Sequence, residues 1–115
     1  MQTSKPPRLE PRLKNTEVRE ILYDWIATLT DTFGFDGYRI DTARHIQKNF
    51  WPEFQKYAGT FVLGEVAGDE TRVEYDASYQ EVMDGVLNFP TYYSLNRVFT
   101  EGFPLTYLKE NINEQ

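Results

Sequence analysis

FDGYRIDTARH, from Phe35 to His45, and FVLGEV, from Phe61 to Val66, decide the fold of this chain. Each string reads as a short apolar strand that ends on a carboxylate, Asp41 in the first and Glu65 in the second. The stretch between them is long enough for a helix, so the unit is strand–helix–strand. Two strands joined by a helical crossover run parallel and lie about 4.8 Å apart. Their C-terminal ends are then neighbours, and the side chains of Asp41 and Glu65 can meet over one pocket.

Working outward, Asn15 or Thr16 can cap a helix in which Val18, Ile21, Leu22, Trp25, Ile26, Leu29 and Phe33 recur at helical spacing. Gly34 closes it, and Asp36-Gly37 leads into the first strand, Tyr38 to Ile40. A second helical stretch is expected over Arg44 to Tyr57, with a fresh turn at Pro52 and an end at Gly59. Thr60 to Gly64 makes the second strand. Ala67 to Ser78 is polar and reads as a long loop, and Met83 to Phe89 supplies a third short strand. Pro90 then leads into helices around Tyr92–Thr100 and Leu105–Asn113. This order predicts an α/β fold with a parallel sheet. Residues 1–14, with Pro6, Pro7 and Pro11 among basic residues, are expected to form an irregular arm.

Composition narrows the function. At 115 residues, 40% hydrophobic and 16% aromatic, the chain has the length of one small domain and enough apolar side chain for a core. A net charge of −6 argues against a nucleic-acid partner. No apolar run approaches the roughly 18 residues of a membrane span, so neither a membrane segment nor a secretory leader is expected. Without cysteine there is no disulfide and no thiolate for a metal, which agrees with a reducing, cytoplasmic compartment.

DGYRIDTARH resembles the nucleophile strand of the α-amylase family, glycoside hydrolase family thirteen, and GEV resembles its acid/base strand. The flanking stretches NTEVREILYDWI, KNFWPEFQKYAG and YQEVMDGVLNFPTYYSL are similar to fungal-type α-amylases too, so the likeness runs from Asn15 to Gly102. The resemblance implies a partial (β/α)8 TIM barrel over residues 15–115, about three parallel strands with their helices. Active sites of such barrels lie at the C-terminal ends of the strands. It also implies a retaining hydrolase of α-1,4-glucan, whose paired carboxyls stand about 5–5.5 Å apart. Asp41 would be the nucleophile and Glu65 the acid/base. Arg39, two residues before Asp41, would share its side of the strand and pair with it. Arg44 and His45 would bind sugar hydroxyls, and Arg44 stands where the family usually has Lys. In calcium-dependent members the backbone carbonyl at the His45 position ligates the ion, so calcium is the implied cofactor.

Each motif also has a plainer meaning. Asp41 before Thr42 can cap a helix, a lone Gly-Glu-Val is a common strand end, and His45 can be an ordinary polar contact. The cluster Phe50, Trp51, Phe54 and Tyr57 reads as core, as do Tyr92 and Tyr93. Asp69, Glu70, Glu74 and Asp76 read as a solvated loop rather than a cation site. The family's third carboxylate follows an Asn-His pair, and an earlier motif carries another His. With His45 the single histidine, neither motif is present. Glu10 is the nearest candidate for a calcium-binding Asp that the family places before the first helix. An unclosed sheet exposes its edges and faces, so self-association is expected. A truncated binding module, an α-glucosidase or a transglycosylase of the same family are the alternatives.

Overall fold

The computed structural model describes residues 13–68 and 71–115. Helix α1, Thr16–Phe33, begins where Asn15 accepts the Glu17 N–H on its side chain at 2.9 Å. It ends at Gly34, whose φ of 65° admits a left-handed turn and whose N–H reaches Thr30 O at 2.8 Å. Strand β1, Gly37–Ile40, follows. The expected long helix after it is replaced by two 3₁₀ turns, Ala43–His45 and Lys48–Phe50, and only then by helix α2, Trp51–Ala58. Thr42 at φ 50° and Ile46 in extended backbone break the helical path before Pro52, at N1 or N2, starts a new one.

Strand β2, Phe61–Gly64, pairs parallel with β1 in the register Gly37–Phe61 to Ile40–Gly64. The stretch expected as a loop contains helix α3, Val73–Ala77, and runs at Ser78 into a 3₁₀ turn over Ser78–Glu81. Strand β3 is only Gly85–Val86 and pairs parallel with Leu63 and Gly64. Helices α4, Phe89–Glu101, and α5, Leu105–Glu114, complete the described chain. The sheet order is β1-β2-β3, so among the described residues the fold is α/β with three parallel strands.

Alternation along the strands sets the layers. Val62 is fully buried and Tyr38 and Ile40 are partly buried on the helix side, while Gly37, Arg39 and Phe61 are exposed on the other. The core joins Tyr23 and Ile26 of α1, Trp51, Phe54 and Ala58 of α2, Val62, Val66, Tyr79 and Met83. Phe50 stacks on Tyr23 and meets Trp51 and Phe54, so this aromatic group is core as expected. Tyr57 is half-exposed but stacks on Tyr23. Each fully buried large apolar side chain contributes about 1.5–3 kcal/mol. Leu13, which falls in the expected arm, is buried in this core, and its carbonyl accepts from Arg19. Residues 1–12, with Glu10, lie outside the described residues.

Two expectations fail on burial. Tyr92 is 61% exposed and Tyr93 also faces solvent, because α4 packs chiefly on α5 and offers its outer face to nothing described here. On α1 the same holds for Ile21, Trp25 and Phe33. The molecule measures 49 × 44 × 23 Å, a two-layer slab. Its radius of gyration, 17.4 Å, exceeds the roughly 13 Å of a compact domain of this length.

Candidate active site

The parallel register carries Ile40 and Gly64 to the same height, so the next residues, Asp41 and Glu65, leave adjacent strands side by side. Arg39 lies between them. Its Nη1 is 3.9 Å from Asp41 Oδ1 and its Nη2 is 3.4 Å from Glu65 Oε2. One guanidinium therefore faces both carboxylates. The Arg39 and Asp41 side chains are 55% and 76% exposed, and ion pairs so exposed contribute about 0–1 kcal/mol to stability. The cluster does little for folding. Glu65 is more enclosed, at 20%.

Glu65 is held by its neighbours' backbone. Its N–H donates to Ile40 O at 2.8 Å, and its carbonyl accepts from Ala43 N–H at 3.1 Å. Its side-chain Oε2 accepts from Thr42 N–H, also at 3.1 Å. The turn after β1 thus clasps the residue that ends β2.

Arg44 and His45 occupy that same turn. Arg44 bends back over the segment after β2: Nη1 donates to Ala67 O at 2.8 Å, and Nε stands 3.6 Å from Asp76 Oδ1. Its guanidinium also lies 5.9 Å from the Tyr75 ring centre. The expectation of a solvated acidic loop holds for Glu74, which is exposed, and fails for Asp76, whose side chain is only 3% exposed. Gly68 makes this burial feasible, since a Cβ there would lie 1.6 Å from Asp76 Oδ2. Asp76 lines a cavity of about 120 Å³ with Val66, Val86, Leu87 and Pro90. Asp69 and Glu70 lie outside the described residues.

Tyr79 fixes the other side of the turn. Its hydroxyl donates to Arg44 O at 2.9 Å and approaches Ile46 O at 3.3 Å. Burial raises its pKa, and a hydrogen bond with Tyr75 adds to the rise. Lys48 bonds Ser78 and lies 4.9 Å and 5.2 Å from the Tyr75 and Tyr79 ring centres. His45 is exposed. No group of three or more His, Cys, Asp or Glu that could hold a metal exists among the described residues. The His45 carbonyl offers one oxygen against the six to eight that calcium takes, so these residues do not make a calcium site.

Sequence reasoning missed Thr42, Asp76 and Tyr79. Thr42 acts through backbone geometry, which carries no residue signature. Asp76 and Tyr79 did leave a signal: with Val73 they recur every third residue, so Asp76 falls in an inward stripe.

The arrangement places two carboxylates, with a cation facing both, at the C-terminal ends of adjacent parallel strands. Comparison with known proteins agrees with it. No family model matches the chain. It is 40% identical over 88 residues to α-amylase 2 of Schwanniomyces occidentalis, covering 76% of this chain and 17% of that protein. The structure of an α-amylase from Malbranchea cinnamomea superposes with a TM-score of 0.77 at 39% identity, over 88% of this chain and 21% of that one. The acarbose complex of the Geobacillus thermoleovorans α-amylase gives 0.66 at 34% identity, over 73% and 20%. The chain thus spans about a fifth of the length of such relatives. Over the residues it spans, this chain belongs to the α-amylase family.

Proposed function

We propose that the chain is the central segment of the catalytic barrel of an α-amylase-type retaining hydrolase acting on α-1,4-glucan. The observation that carries the reading is Arg39, set between Asp41 and Glu65 at the ends of adjacent parallel strands. In this reading Asp41 attacks the anomeric carbon and forms a glycosyl-enzyme. Glu65 protonates the departing oxygen, then takes the proton of the water that releases the sugar. Arg44 and His45 border the site on the turn after β1, where they would meet sugar hydroxyls. Calcium would need oxygen ligands from elsewhere in a barrel, so no step is assigned to it.

The exposed apolar residues Phe61, Trp25, Phe33 and Phe99 favour a second property: the isolated chain self-associates through its open sheet and helix faces. No helix among the described residues is long and apolar enough to cross a membrane.

The test uses a complete barrel containing this segment and reads reducing-sugar release from soluble α-glucan. Glu65→Gln should lower turnover by about 10²–10⁴-fold and Asp41→Asn by at least as much. NMR of the first-formed sugar should show retained anomeric configuration. Near-normal hydrolysis by Glu65→Gln would refute the assignment.

A further inference from the structure

We propose that Thr42 is a positioning residue that divides the labour between the two oxygens of Glu65. Its N–H and Arg39 hold Oε2, which leaves Oε1 as the oxygen that carries the catalytic proton. The inference rests on the reading of Glu65 as the acid/base.

The first observation is conformational. Thr42 has φ 50° and ψ 36°, the one non-glycine residue with positive φ among those described. For a β-branched side chain this is an outlier that costs on the order of 1–3 kcal/mol. Its side chain makes no capping hydrogen bond that would repay the cost. What the kink achieves is a direction for two successive N–H groups: Thr42 N–H meets Glu65 Oε2 and Ala43 N–H meets Glu65 O, each at 3.1 Å.

The second observation is electrostatic. The Arg39 Nη2 atom, 3.4 Å away, faces the same oxygen, Oε2. A proton on Oε2 would point an O–H at an N–H donor and a cation, and neither can accept it. The neutral acid therefore carries its proton on Oε1. The charged group that faces this carboxyl is Arg39 from β1, which also faces Asp41, while Arg44 on the turn after β1 pairs with Asp76.

The proton balance follows. In glycosylation, Oε1–H passes its proton to the glycosidic oxygen as the bond from that oxygen to the anomeric carbon breaks and an Asp41 oxygen bonds that carbon. The new carboxylate charge is held at Oε2 by Thr42 N–H and Arg39, contacts that strengthen as the charge forms. In deglycosylation, Oε1 takes a proton from water while the water oxygen displaces Asp41.

The experiment follows the position-42 amide by ¹⁵N NMR in the 115-residue chain across a pH titration, with ¹³C detection of the Glu65 carboxyl. The amide proton should move downfield as Glu65 ionises, and the movement should vanish in Glu65→Gln and persist in Asp41→Asn. Thr42→Gly, which keeps the N–H and tolerates positive φ, should retain the response. Thr42→Pro loses the N–H and cannot adopt φ 50°, so in it the contact to Glu65 Oε2 is lost together with the turn. An amide that ignores Glu65, or follows Asp41, overturns the proposal, and this result stands even if Thr42→Pro does not fold. If Glu65→Gln leaves turnover intact while the amide responds as expected, the functional reading falls and the contact survives.

Discussion

Gly64→Ala puts one methyl into the tightest point of β2, and its effect should reverse sign with the residue opposite. A Cβ at Gly64 would lie 2.5 Å from Met83 Sδ, 2.7 Å from its Cε and 3.4 Å from Ala43 Cβ. Carbon contacts settle near 3.5–4.0 Å, so the Met83 thioether must retreat by about 1 Å. Met83 is buried, which limits where it can go. Overpacking of this kind costs about 1–3 kcal/mol. The lost backbone freedom of the unfolded chain returns about 0.4–1 kcal/mol. The net expectation is a destabilisation of about 1–2 kcal/mol. Met83→Ala alone should cost about 2–5 kcal/mol by opening a cavity. In that background the new methyl enters vacated space, and Gly64→Ala should stabilise by about 0.4–1 kcal/mol. Urea unfolding of the four proteins, followed by circular dichroism at concentrations where the midpoint is constant, gives the cycle. Equal destabilisation in both backgrounds would refute the packing argument. The outcome bears on chemistry, because a strand displaced at Gly64 carries Glu65 with it.

Three further outcomes are expected. Tyr79 has a raised pKa in the folded chain, so the stability it contributes is full below the ordinary tyrosine value near 10 and is lost as pH rises beyond it. Tyr79→Phe should cost about 1 kcal/mol at neutral pH and flatten that alkaline loss, both read by thermal unfolding from pH 7 to 11. Asn15→Ala removes the bond to Glu17 N–H and should cost about 0.5–2 kcal/mol, with exchange protection falling first in α1. The isolated chain should release little or no reducing sugar from starch, and robust release that disappears in Glu65→Gln would show that this segment suffices for hydrolysis.

What the sequence disclosed, and what it hid, divides along the range of the interactions. The first two parallel strands, the Asn15 cap and the Gly34 and Gly59 stops are written in local patterns, and each stands within a residue or two of its expected place, whereas the third strand shrinks from Met83–Phe89 to Gly85–Val86. The carboxylate pair was legible for the same reason: a parallel crossover fixes which strand ends become neighbours. The break after Asp41 was not, because apolar spacing over Ile46, Phe50 and Phe54 fits a helix as well as two 3₁₀ turns. The deciding factors are Thr42's positive φ and the Tyr79 hydroxyl that seizes the Arg44 carbonyl. Tyr79 lies 35 residues from Arg44, beyond any periodicity. Asp76 was misread for the complementary reason. Acidic composition suggests solvent, whereas Arg44 and the missing side chain of Gly68 give its carboxylate a buried place.

That division also separates placement of the chemical groups from creation of their environment. Glu65 is fixed by bonds to Ile40, Thr42 and Ala43, all supplied within this segment, so its orientation does not wait for a closed barrel. Asp41 and Arg39 are pre-aligned but remain 76% and 55% exposed, in a medium where a 4 Å charge pair is worth about 1 kcal/mol. At an effective dielectric near 20 the same pair is worth about 4 kcal/mol. Exclusion of water by further strands and loops would therefore multiply the influence of Arg39 without moving it. The segment fixes the placement of the two carboxylates and Arg39, and their electrostatic strength would come from whatever covers the open face of the sheet.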